Sequence, residues 1–244
     1  MAHVAWKWMV VAAAIGAGVL ACSDGDDDGG GPNNPPGGGG VDAGVNEFRP
    51  GLGEDEGEPQ GTPLSLPNGV SISGDILGAD ELRGECKGGE TPHGSGPAVK
   101  VCVPFRNDTL GSVQVELPPG LIVVSISEGR YQHGLLVERV VVTIPPTRQG
   151  PGGLPDGGPG PDPDATQVLL HLYCLNEERN PSETGNPYEM GPVTSDSALR
   201  ELLQLLSGKR IDSEDDVDVV QDALYSITEH NGLTREDREA ISDL

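Results

Sequence analysis

Aromatic side chains are scarce in this chain, at 3% of 244 residues. Both tryptophans, Trp6 and Trp8, fall at the extreme N-terminus, leaving Tyr131, Tyr173, Tyr188 and Tyr225 as the tyrosines. A sugar-binding module that stacks exposed rings has little to work with here. Basic residues are also few: 15 Lys and Arg stand against 39 Asp and Glu, giving a formal charge of −24. Nucleic-acid binding draws its affinity from Lys and Arg meeting phosphate, so no nucleic-acid partner is expected. The same balance excludes docking on anionic lipid through a basic patch. Past Leu20 no apolar run approaches the roughly 20 residues a spanning helix needs. His-Glu-x-x-His, Gly-x-Ser-x-Gly and Walker patterns are all missing, as is a dinucleotide-binding glycine motif between strand and helix. The histidines His93, His133, His171 and His230 are scattered, and acid pairs such as Asp215-Asp216 and Glu177-Glu178 suit solvated faces. No turnover enzyme, metal site or cofactor is expected.

What is present begins with a tripartite N-terminus. Met1 to Trp8 carries Lys7, an apolar run follows from Met9 to Leu20, and the segment ends Val19-Leu20-Ala21-Cys22. Charge, short apolar stretch and a small residue at the cut are the layout of a secretory signal. The last four residues resemble the lipobox of bacterial lipoproteins. That resemblance implies cleavage after Ala21 and a diacylglycerol on Cys22. Two lipid signals suffice for stable anchoring. It also implies a place in the bacterial cell envelope, and Ser23 after the cysteine favours the outer membrane or the cell surface.

The chain then divides by composition. Residues 1–21 read as the signal and residues 22–63 as an acidic Gly/Pro-rich tether too poor in apolar residues to offset its chain entropy. Asp24, Asp26, Asp28 and Gly29 imitate the start of a calcium loop. Pro35 stands where the twelfth-position Glu would be, so solvated linker is the expectation. From 64 to 176, short β-rich runs alternate with Gly and Pro turns: Val70 to Leu77, Val99 to Phe105, Ser112 to Leu117, Leu121 to Ser127, Leu135 to Ile144 and Gln167 to Leu175. Their spacing predicts a mainly β fold, an immunoglobulin-like antiparallel β-sandwich, with a Pro/Gly loop over residues 150–164. Residues 177–244 change to a helical period, and about three α-helices are expected to pack on the sandwich. The first is capped at Thr194 or Ser195 and the second at Ser213, where Asp216 makes an approximate capping box. The third starts at Thr234 with Asp237.

With Cys22 lipidated, Cys86, Cys102 and Cys174 remain in an oxidising compartment, and any one of three pairings is open. Cys86 and Cys102 are close in sequence and form the candidate disulfide that leaves Cys174 over. Cys174 lies in Leu172-Tyr173-Cys174-Leu175-Asn176, and Gln221 in Val220-Gln221-Asp222-Ala223-Leu224-Tyr225. An aromatic-Cys-apolar motif followed later by Gln, a small residue, an apolar residue and an aromatic resembles the thioester domains of bacterial surface adhesins, over about Gln167 to Thr228. The resemblance implies an internal thioester between Cys174 and Gln221, opened once by an amine on a partner surface. The family usually has Thr where Val220 stands and Trp where Tyr225 stands. The 47-residue separation of Cys174 and Gln221 is short for it. His171 or His230 could move the proton, although nothing local in the sequence singles out either.

Three readings of function follow. In the first, the chain is a non-enzymatic envelope or surface lipoprotein displaying a binding module for adhesion or envelope interaction toward a protein partner. Alternatively it is a covalent adhesin acting through Cys174 and Gln221, or a structural partner in an envelope assembly that uses its helical tail.

Overall fold

The computed structural model describes residues 49–79, 86, 91–127, 129–147, 164–230 and 232–244. The signal, Cys22, most of the expected tether and all but the end of the 150–164 loop lie outside the described residues.

The described strands are β1 (Gly61–Pro63), β2 (Val70–Ile72), β3 (Ile76–Gly78), β4 (Val99–Asn107), β5 (Val113–Leu117), β6 (Leu121–Ser125), β7 (Gly134–Leu135), β8 (Val140–Ile144), β9 (Thr166–Cys174) and β10 (Pro187–Thr194). The helices are α1 (Ser197–Leu206), α2 (Glu214–Thr228) and α3 (Arg235–Asp243). The fold is mainly β and antiparallel, followed by three helices. It differs from an immunoglobulin-like sandwich in its closure. The strand path β10-β3-β4-β9-β7-β6 returns to β10, making a six-stranded closed barrel, with β1 on β10 and β2 on β4 as additions. Closure removes the open edges that two facing sheets would keep. The antiparallel pair of β5 and β8, with β6 and β7 between them in the chain, is a separate two-stranded sheet. Val115, Leu117, Val140, Val142 and Ile144 from that sheet join the barrel core, as the period of two along each strand requires.

Two hydrophobic clusters explain why β6 and β9 read as nearly continuous apolar runs. Val168, Leu170 and Leu172 of β9 and Leu121 and Val123 of β6 fill the first cluster with Val99, Val101, Val103 and Phe105. The intervening Tyr173 and Ile122, with Leu175, fill a second cluster with Leu199, Leu202 and Leu206 of α1 and Val220, Leu224 and Ile227 of α2. Both faces of these strands are covered, one by the barrel core and one by helices, so neither needs a polar face. The apolar stripes of α1 and α2 are occupied by the same contact.

Two expected strands divide. Val70 to Leu77 becomes β2 and β3 around Gly74, whose φ of 94° belongs to the left-handed region. Both pieces stay paired to β4. Leu135 to Ile144 becomes β7 in the barrel and β8 in the two-stranded sheet. The expected boundaries also shift. β10 lies inside 177–244 yet closes the barrel, so sheet and helices interleave along the chain. Residues 49–63 pack on the fold rather than belonging to the tether: Leu52 is buried in the second cluster and β1 pairs with β10. The helix starts follow their caps closely. α1 is capped by Asp196, one or two residues past the expected Thr194 or Ser195, and Ser213/Asp216 and Thr234/Asp237 form full capping boxes.

Candidate functional site

β9 outlasts its neighbour. The last β4 partner is Val99, opposite Leu172, and Cys174 stands two residues beyond it. On its other side Cys174 pairs with Gly134 of β7. The backbone N–H and C=O of Cys174 would therefore lose a strand partner in a buried place, at a cost comparable to lost hydrogen bonds. Gln221 of α2 supplies the partner. The Cys174 N–H donates to Gln221 Oε1 at 2.9 Å, and Gln221 Nε2 donates to the Cys174 carbonyl at 3.0 Å. Cys174 is fully buried as a free thiol and Gln221 is 8% exposed. Thus the two residues singled out in sequence, 47 positions apart, are brought into direct contact.

The sulphur has its own partner: Asn176 N–H donates to Cys174 Sγ at 3.2 Å. Gln221 and Tyr225 are four residues apart on α2 and so share a helix face. Burial pushes the Cys174 thiol up to about 11, against a lowering by the Asn176 N–H and the Tyr225 side chain. Burial and the adjacent thiol hold the Tyr225 hydroxyl well above the ordinary phenol range.

A shell of polar contacts fixes this corner. The Asn176 side chain accepts from His133 N–H at 2.9 Å and donates to the carbonyls of Gly51 at 3.2 Å and Gly53 at 2.8 Å. Gly53 N–H donates to the Leu175 carbonyl at 2.9 Å. The 49–57 segment is thereby laced across the end of β9. Gly53 has a φ of 60°, and a Cβ there would strike the carbonyl oxygen of Thr228, so only glycine lets the segment lie this close to the end of α2. Arg179 donates to the Asp55 carbonyl at 2.8 Å, and Glu229, capping α2, accepts from Glu177 N–H at 2.8 Å.

His133 is the histidine of this corner, although sequence gave it no role. Its Nδ1 accepts from Ser125 N–H at 3.0 Å, and Arg179 Nη1 lies 3.1 Å from Nε2. Burial, then the Arg179 charge, lower it to about 4, so the ring is neutral at pH 7. His171 alternates to the opposite face of β9 from Cys174, opposite Lys100 of β4, and His230 is exposed beyond the cap of α2. A sequence signal for Tyr225 existed in its i, i+4 spacing from Gln221. None existed for Asn176 and His133, whose parts depend on β7 meeting β9.

Cys86 and Cys102 form a disulfide with a Cα separation of 5.6 Å, packed with Ala79 and Leu169 in a small cluster of their own. Among the described residues Cys174 is the cysteine left free. Among the described residues no three His, Cys, Asp or Glu side chains gather as metal ligands, and no helix is long and apolar enough to cross a membrane.

In comparison with known proteins, no family model matches the chain, and neither a curated protein nor a solved structure matches it significantly. The geometry around Cys174 therefore carries the functional argument alone.

Proposed function

We propose that the chain is a lipid-anchored envelope protein whose folded domain carries an internal Cys174–Gln221 thioester, used once to acylate an amine on a partner. The carrying observation is the two-point clamp of the Gln221 carboxamide on the Cys174 backbone, beside a free, buried thiol. The clamp holds the carboxamide on the residue that carries the thiol, and the Cys174 N–H on Oε1 polarises the carbonyl and stabilises the oxyanion that attack creates. The thiol attacks the carboxamide carbon, the C–N bond breaks, and ammonia leaves with the sulphur's proton. An amine later attacks the same carbon, forms an amide and restores the thiol. Burial keeps water from the acyl group meanwhile. The Cys86–Cys102 disulfide agrees with an exported chain.

A binding module without covalent chemistry is the second reading. It is favoured by the satisfaction of both carboxamide ends: Gln221 then serves only to complete the end of β9, and Cys174 is an inert core thiol.

The test is the mass of the full chain, mapped to peptides around Cys174 and Gln221. The thioester reading expects a product one ammonia lighter than the sequence, with Cys174 unreactive to thiol reagents until an amine is added. Methylamine should free Cys174 and leave a methylamide at Gln221. Full mass with an unmodified Gln221 would refute it and leave the binding module. The lipid anchor is tested separately. An alkyne-bearing fatty acid fed to an exporting bacterial host should label the chain, and Cys22→Ser should abolish the label and release the protein from membranes. Equal labelling of both would exclude Cys22 as the anchor.

A further inference from the structure

Residues 49–57 form a strap wedged between the two elements that carry the site. On one side the strap grips the end of β9. Gly53 N–H donates to the Leu175 carbonyl at 2.9 Å, and Asn176 Nδ2 donates to the carbonyls of Gly51 at 3.2 Å and Gly53 at 2.8 Å. On the other side it grips the end of α2. Arg49 Nη1 donates to the Ile227 carbonyl, and the Gly53 backbone lies so close to Thr228 that a Cβ would strike the carbonyl oxygen there. Between these grips Leu52 is buried in the cluster that holds Tyr173 and Leu175 of the β9 end and Leu224 and Ile227 of α2. Asp55 ties the strap to itself, its Oδ1 accepting from Gly51 N–H at 2.9 Å and from Gly57 N–H at 2.7 Å. One residue joins strap and thiol: the Asn176 side chain holds the strap while its N–H donates to Cys174 Sγ.

We propose that the 49–57 strap is the gate of the Cys174–Gln221 corner. Closed, it seals the gap between the ends of β9 and α2. Released, it admits a small reagent to Cys174 while the barrel stays folded. The strap contains no strand or helix, so one buried leucine and a few hydrogen bonds hold it, whereas β4 and β9 are joined by a long ladder. Segments held this lightly open locally, well below the free energy of global unfolding. Opening withdraws Leu52 from the shared cluster and frees the Asn176 carboxamide, which loosens the residue whose N–H touches the sulphur. The bearing of the gate on acyl transfer rests on the thioester reading: a closed strap keeps water from the acyl group, and a displaced strap lets an amine reach it. The closing of the corner over Cys174 does not depend on that reading.

The experiment measures entry to Cys174 in the full chain under native conditions, beside amide hydrogen exchange. Iodoacetamide labelling is the probe where the thiol is free, and methylamine opening where the thioester has formed, so the gate is judged in either state. In wild type, entry should show the denaturant dependence of the Gly53 amide, which the strap holds against Leu175, and should outpace exchange of the β4–β9 ladder amides. In Gly53→Ala the φ of 60° and the Thr228 carbonyl both reject the new Cβ, and the left-handed strain alone should speed entry by about 5- to 30-fold. Asp55→Ala removes the strap's internal ties and keeps its contacts to β9 and α2, so it should speed entry in the same direction and serves if Gly53→Ala fails to fold. Entry that tracks the ladder amides in wild type would overturn the gate. So would strap amides freed in either variant with entry unchanged. A free thiol in wild type would refute the thioester and leave the gate to be decided by iodoacetamide.

Discussion

Acidification from pH 7 to pH 4 should strip this domain of a defined amount of stability through one histidine. His133 is 5% exposed and lowered from 6.5 to about 4, first by burial and then by Arg179. The unfolded chain protonates near 6.5 while the native ring stays neutral, so between those values the unfolded state holds the extra proton. Stability from neutral His133 is therefore full above about pH 6.5, declines as pH falls, and stops declining below about pH 4, where both states are protonated. A depression of about 2.5 units corresponds to about 3 kcal/mol, or roughly 6–12 °C in melting temperature for a domain of this size. Carboxylates titrate in the same window, so the measurement is a difference. Denaturant melts are taken from pH 7 to pH 4 for wild type and His133→Asn, whose side-chain oxygen can still accept from Ser125 N–H without titrating. Wild type should lose about 3 kcal/mol more than the variant over that range. Parallel pH curves would refute the assignment and would mean that water or rearrangement accommodates the imidazolium.

Asn176→Ala removes three buried side-chain hydrogen bonds, to His133 N–H and to the Gly51 and Gly53 carbonyls. Unpaired buried groups cost about 1–3 kcal/mol each, so a loss of about 3 kcal/mol or more in denaturant melts is expected, with freer exchange of the amides in residues 49–57. A loss below about 1 kcal/mol would show that the segment is held by Leu52 and the Arg49–Asp196 ion pair instead. The thioester mass and the Cys22-dependent fatty-acid label complete the set.

Much of the fold was legible from local chemistry. Alternation located the strand Val113–Leu117, and capping residues located the starts of α2 and α3. These signals act within a few residues, where pleat and helix periods are fixed by the backbone itself. β10 was not expected within 177–244, because Pro187, Gly191 and Pro192 interrupt any strand pattern. Its register shifts between Met190 and Val193, and a Cβ on Gly191 would crowd Val124 and the Ile122 carbonyl, so tertiary packing alone justifies the glycine. Barrel closure was equally invisible. A strand covered on one side by a facing sheet and one covered by helices show the same apolar run.

The candidate site divides along the same line. Sequence by itself named Cys174 and Gln221 through their flanking residues, and put Tyr225 one turn from Gln221. Only the tertiary structure decided that β4 ends two residues short of Cys174, leaving a strand edge for the Gln221 carboxamide to complete. Only it brought Asn176, His133 and the 49–57 segment to the same corner. Local periods are set by neighbours along the chain. Where a strand stops, and what takes the place of its partner, is set by segments that meet only once the barrel has closed.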